Sequence, residues 1–176
     1  MRRVITIHDP DASILRRRSR PVPRCSGEIR ALIQEMVEVM YASGGIGLAA
    51  PQIGVPLRVI VADVGEGPLA LVNPRILRRS GTQVGPEGCL SIPGVAGIVE
   101  RPRRIVVTGK TQSGRKKTLV AEDLLARVIL HEVDHLNGIL FTDRVEDGKL
   151  YAVEGEGAGR AAASLPAGRR GNGGAV

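Results

Sequence analysis

The segment AEDLLARVILHEVDHLNG, residues 121–138, restricts the fold of this chain more than any other stretch. Leu124, Val128, His131 and His135 recur at helical spacing on one face, while Leu125, Ile129, Leu130 and Leu136 make much of the remaining circumference apolar. A helix that is apolar nearly all round cannot rest on a surface, so the pattern predicts an element buried between sheets. Glu122 and Asp123 complement the positive end of its dipole, and Asn137 with Gly138 supply the stop.

The partners of such a helix must be strands. Short β-rich runs follow one another, LRVIVADV from Leu57, LALVN from Leu69, RIVVTG from Arg104 and KTLVA from Lys117, separated by Gly, Pro and Asn turns. Their close spacing favours antiparallel pairing. An earlier helix is predicted behind Ser26 as N-cap, with Ile29, Leu32, Ile33, Met36 and Met40 as its apolar stripe, ending at Gly44 and Gly45. Between helix and strands lies GIGLAAPQIG, residues 45–54, too apolar for a solvent loop and too interrupted for a helix; it predicts backbone running close to something. The whole reads as α+β: short antiparallel strands packed around a buried central helix, plus an N-terminal helix. Residues 1–25 form an irregular arm broken by Pro10, Pro21 and Pro23. One folded domain is expected over residues 1–154, followed at 155–176 by a flexible Gly/Ala/Arg-rich tail without apolar periodicity.

Composition narrows the class of function. Aromatics are 2% of the chain, so the core is aliphatic and base stacking is poorly supplied. The net charge of +7, mostly from arginine, favours loose attraction to polyanions such as RNA, but not specific DNA binding. Arg16, Arg17, Arg18, Arg20 and Arg24 either serve that attraction or simply solvate the arm. No apolar run is long enough to cross a bilayer, and MRRVITIHDP has no apolar core behind its basic start; the expected location is the cytoplasm, with no membrane partner. Cys25 and Cys89 are too few for a secreted disulfide framework, and a bridge between them is the minor alternative to free thiols or ligands.

The chemistry sits in HEVDH. On a helix, His131 and His135 lie one above the other and can converge on one divalent ion, while Glu132 reaches a water there. The ion lowers the pKa of that water toward about 7, and a carboxylate that takes its proton makes a nucleophile. That is hydrolysis chemistry. The blander reading, histidines bonded to backbone in a buried helix, would bury two imidazoles and a carboxylate without purpose. A third ligand is needed. A metzincin extension would place a histidine where Phe141 stands, and a thermolysin-like site would need a downstream carboxylate such as Glu154 or Glu156, both beside the tail. His8 and Cys25 lie in the arm; Cys89, in GPEGCLSIPG, is better placed on a short loop between glycine and proline turns. Gln52 offers a side-chain amide to charge developing on a carbonyl oxygen, or merely caps a loop.

GIGLAAPQIG, EGCLSIP and HEVDHLNG, in this order and separation, resemble the three signature motifs of peptide deformylase, and the likeness extends over roughly residues 1–150. The resemblance implies a catalytic domain holding one divalent ion per chain on Cys89, His131 and His135, with Glu132 as general base. It implies removal of the formyl group from the N-terminal methionine of newly made polypeptides, releasing formate. It adds the backbone N–H of Leu90 as a second donor beside Gln52, and the Gly47 backbone as a strand-like partner for the peptide. Ile46, Leu124 and Val128 are candidates for the methionine pocket, each equally able to be ordinary core, with Glu87 bounding it. Asp134 and Arg101 occupy the positions of a steadying ion pair; a surface pair is the competing reading. One thiolate and two imidazoles suit Zn2+, Ni2+ or Co2+, and the resemblance favours Fe2+ as the native ion. Where the family often carries a basic or bulky residue, GVAGIVERP has Val95 and Ala96. The implied partners are N-formylmethionyl nascent polypeptides, with transient ribosome association. Two other readings stand beside this one: a thermolysin-like metallopeptidase, and a basic RNA-binding module with a structural metal.

Overall fold

The computed structural model describes residues 2–146 and 149–153. Its first long element, α1, is Gly27–Ala42; Ser26 occupies the N-cap in extended conformation, although its hydroxyl makes no capping bond. The apolar stripe of α1 buries Ile29, Leu32, Ile33, Met36, Val39 and Met40. The glycine-rich passage then forms a short strand, β1 (Gly47–Ala49), and a 3-10 turn over Ala50–Ile53.

β2 (Val59–Ala62) reads VIVA, with no polar position to offer to water. It is accordingly covered on both faces: Val59 and Val61 join the α1 cluster, and Ile60 joins the cluster on the opposite side. β3 (Leu69–Ser80) pairs with β2 and continues well past the predicted LALVN, through two register shifts, to Ser80. β4 (Gln83–Cys89) and β5 (Ile92–Arg101) then form a hairpin outside this sheet. β6 (Arg104–Lys110) and β7 (Lys116–Glu122) return to it, giving a five-stranded sheet in the order β1-β2-β3-β6-β7. The class is α+β, and every strand pair in the two sheets is antiparallel.

β7 runs directly into α2 (Asp123–Leu136), which places Ala126, Ile129, Leu130, Val133 and Leu136 on Ile60, Leu71, Ile105, Val107 and Ala121 of the sheet. Each such aliphatic side chain contributes about 1.5–3 kcal/mol on full burial. The helix stops at Asn137, and Gly138 takes a left-handed φ of 74° while the Ile139 N–H closes on the Asp134 carbonyl at 3.0 Å. A side chain at Gly138 would also strike the Arg16 carbonyl group, because the N-terminal arm crosses here. β8 (Leu150–Ala152) completes a second, three-stranded sheet in the order β4-β5-β8.

One sequence expectation needs correction. GPEGCLSIPG is not a loop but the tip of the β4–β5 hairpin, with Cys89 as the last residue of β4. Gly85, Pro86 and Gly88 lowered its apparent strand propensity, yet an edge strand tolerates proline because no further neighbour needs its N–H. The arm is irregular, with one 3-10 turn at Ala12–Arg16, but it is tied down: the Ile5 N–H meets the Gln52 carbonyl at 2.7 Å and the Ser19 N–H meets the Leu136 carbonyl at 2.9 Å. The Asn73 amide pairs with both the N–H and the carbonyl of Val22 at 2.8 Å each. Both cysteines are free thiols. No helix among the described residues is long and apolar enough to cross a membrane. Glu154, Glu156 and the tail at 155–176 lie outside the described residues.

Candidate metal centre and its cleft

α2 has two working sides. One packs on the five-stranded sheet; the other points Arg127, His131 and Asp134, at i, i+4 and i+7, toward the β4–β5 hairpin. Facing them, β4 brings Cys89 to α2. The ligand atoms of Cys89, His131 and His135 all lie within 4.8 Å of one another, and all three residues are buried. Cys89 Sγ is 3.2 Å from His135 Nε2. His131 Nδ1 is 3.0 Å from Glu87 Oε2; an ionised carboxylate only accepts, so Nδ1 carries a proton, and in the neutral ring the lone pair on Nε2 is then free for the cluster. Phe141 stacks on His131 with ring centroids 6.2 Å apart.

One atom shows that this cluster is built for something more than itself. Glu132 Oε2, on a residue that lines the cleft beside His131, is buried with no hydrogen-bond partner among the described residues; His135 Nδ1 is unpartnered too, but it is the ring nitrogen turned away from Cys89. Leaving a buried polar atom unpaired costs about 1–3 kcal/mol, more for a charged group. One sulfur and two ring nitrogens converging in an aliphatic surround match a borderline-soft divalent cation. The residues present therefore fit a resident metal ion.

The electrostatics separate the roles of the acids. Burial raises the Glu132 carboxyl to about 7, against the opposing charges of His131 and Arg101. Such a group exchanges a proton near neutral pH. Burial also pushes Glu87 upward, but hydrogen bonds from Arg101 and His131 outweigh it and hold Glu87 well below the carboxylate range. Burial disfavours charge on both imidazoles; for His131 the bonds to Cys89 and Glu87 reverse the effect, whereas His135 stays well below its usual value.

Gln52 is capped and aimed at once. Its Oε1 accepts the Ala49 N–H at 2.8 Å, which fixes the amide orientation and turns Nε2 to 3.6 Å from Cys89 Sγ and 3.2 Å from Ser91 Oγ. The loop-capping reading and the donor reading thus describe the same geometry. A cleft open to solvent leads to the cluster and is lined by Ile46, Gly47, Glu87, Leu90, Arg127 and Val128 together with His131 and Glu132. Leu124 is half-buried in the first turn of α2 and is not among the lining residues. A Cβ on Gly47 would lie 2.7 Å from Val128 Cγ1 and closer still to the Glu132 carboxylate, so only glycine lets the β1 backbone pass there.

Behind the cluster runs a buried ionic chain. Arg101 binds Glu87 with both Nε and Nη2 at 2.8 Å and reaches Asp134 with Nη1 at 2.5 Å. The side chains of Arg101 and Asp134 are 3% and 9% exposed, so this is an interior pair, not a surface one. Arg144 holds Asp134 from the other side. The sequence reading missed Arg144, Ser91, Glu87 as the partner of His131, and above all Arg127. Arg127 was legible: charged or polar residues at 127, 131 and 134 inside an apolar helix mark a buried polar seam. Val95 and Ala96 lie in β5, paired with Ala152 and Tyr151 of β8.

The polypeptide deformylase family model matches residues 1–150. A peptide deformylase of Caldanaerobacter subterraneus subsp. tengcongensis is 48% identical over 145 residues, covering 82% of this chain and 89% of the relative. One from Acetivibrio thermocellus is 50% identical over 139 residues, covering 79% and 82%. Among solved structures, the Thermotoga maritima peptide deformylase superposes with a TM-score of 0.79 at 42% identity, covering 83% of this chain and 98% of that one. The Synechococcus elongatus peptide deformylase, solved in complex with actinonin, gives a TM-score of 0.79 at 46% identity, covering 84% and 80%.

Proposed function

The chain belongs to the polypeptide deformylase family of metal-dependent hydrolases, and on that premise we propose that it removes the formyl group from the N-terminal methionine of newly made polypeptides, releasing formate. The observation that carries this reading is the convergence of Cys89, His131 and His135 beside a cleft lined by His131, Glu132 and Gly47 of β1. Cys89, His131 and His135 would hold one divalent ion, with Fe2+ the native choice and Zn2+, Ni2+ or Co2+ also suited to the donors. When bound, that ion supplies Lewis acidity that makes water reactive at neutral pH.

The remaining steps belong to the chain. The Gly47 backbone, at the free edge of β1, pairs with the extended peptide like an added strand and so reads only what all nascent chains share. Ile46 and Val128 receive the methionine side chain and Glu87 bounds its inner end, while Leu124, which does not line the cleft, is left to touch only a longer side chain reaching past Val128. Glu132 takes a proton from the attacking water and passes it to the departing amine nitrogen, leaving formate and a free methionyl amine. As negative charge builds on the formyl oxygen, Gln52 Nε2 and the Leu90 N–H donate to it. The Arg101–Asp134 pair steadies α2 against the hairpin during these events. The catalytic unit is residues 1–154, α2 is its central helix, and residues 155–176 take no part in catalysis. The setting is the cytoplasm, with transient attraction to ribosomal RNA aiding encounter.

The test is formate release from an N-formylmethionyl peptide, measured anaerobically with defined metals and compared with the N-acetyl peptide. Metal-dependent release from the formyl peptide alone is the expected result. Cleavage of internal peptide bonds, or no release with any metal, would overturn the reading.

A further inference from the structure

The metal cluster straddles two parts of the molecule that share little apolar packing. Both histidines ride on α2, whose apolar side belongs to the cluster on the five-stranded sheet. The thiol rides on the hairpin, and Cys89 packs with Val99, Ile92, Leu140 and Phe141 in a separate apolar cluster. Polar side chains span the gap between helix and hairpin. Arg127 makes the densest of these bridges: Nη1 donates to Glu87 Oε1 at 2.8 Å and to the Val99 carbonyl at 3.1 Å, with longer contacts of 3.4 Å to the carbonyls of Gly85 and Gln83. Its side chain is 6% exposed. One guanidinium, one turn before His131, therefore grips both hairpin strands and the carboxylate that orients His131.

We propose that Arg127 is a positioning residue that sets the separation between the Cys89 sulfur and the two imidazoles, and with it the affinity of the site for its metal. The guanidinium fork is needed for this, not the charge alone. A lysine would keep a cation beside Glu87, but its single ammonium on a flexible stem cannot hold β4 and β5 together. Outer contacts of this kind typically govern metal affinity by about 10- to 100-fold. The inference rests on the metal-site reading above.

The experiment compares the parent protein with Arg127→Lys and Arg127→Met. Zn2+ affinity is measured by chelator competition, the thiolate-to-metal charge-transfer band is recorded with Co2+, and melting is followed with and without metal. Affinity should fall by about 10- to 100-fold in Arg127→Lys and further in Arg127→Met, with a weakened charge-transfer band and a smaller metal-induced rise in Tm. A merely structural role would lower Tm equally in both forms and leave affinity within twofold of the parent, which would overturn the proposal. If Arg127→Met fails to fold, the Arg127→Lys comparison still decides. Failure of the parent to bind one Zn2+ would instead refute the metal-site reading itself.

Discussion

Gly47 and Glu132 compete for the same few ångströms of the cleft, and that competition yields the sharpest residue-level expectations. In Gly47→Ala the new methyl group must displace either the Glu132 carboxylate or Val128, and a displacement near 1 Å at a reacting group costs roughly 100-fold in turnover. Steady-state kinetics should show that loss with metal content unchanged; a variant with parental kcat/KM would contradict the assigned path of the peptide. Glu132→Gln keeps the shape but cannot accept a proton, so kcat should drop by about 10²–10⁴ while one metal per chain remains bound. Metal analysis alongside the kinetics separates this from loss of the ion. For Cys89→Ser, X-ray absorption should lose its sulfur scatterer and metal-supported deformylation should vanish; retained activity would point to a different third ligand. His131, Glu132 and His135 stood out in the sequence because their chemistry is unusual inside an apolar helix, and Cys89 entered through the resemblance of its motif. Glu87 was named only as a pocket boundary, because nothing in EGCLSIP says that its carboxylate meets an imidazole 44 positions downstream.

At the scale of elements, the five-stranded sheet separates two tasks. α1 and its cluster lie on one side of β2, and α2 with both histidines lies on the other. Met36, fully buried on the core face of α1, is therefore a stability position on the side of β2 opposite the histidines. Met36→Ala should cost about 2–5 kcal/mol in urea denaturation yet leave metal affinity as it was. A parallel loss of metal would mean that the two sides are coupled through β2. Both long helices were legible, since a period of 3.6 with start and stop residues survives any environment. β4 and β5 were not, because glycine and proline hid them and because pairing with each other, a non-local property, is what makes them strands.

The whole molecule presents a strongly basic surface around a small buried centre. Arg16 is engaged with Asp143, whereas Arg17, Arg18, Arg20 and Arg24 are exposed along the arm. Replacing those four with serine should weaken co-sedimentation with ribosomes at low salt without altering turnover of a short formyl peptide; unchanged co-sedimentation would remove the arm from that role. Fe2+ is oxidised by oxygen and the reduced oxygen species formed would attack the Cys89 thiolate beside it, whereas Ni2+ does not react this way, so aerobic storage should inactivate the Fe2+ protein and spare the Ni2+ protein in the formate assay. The three motifs by themselves pointed to the family and to the candidate ligands, and the periodicity of two helices and several short strand runs to the α+β class, because both are properties of local sequence. Only the tertiary structure decided that Glu87 orients His131, that Gln52 is aimed by the Ala49 N–H, and that Arg127 joins helix to hairpin. These are contacts between segments 40 or more residues apart or across a tight turn, and their directions follow from how buried charges must find partners once the chain has closed around them.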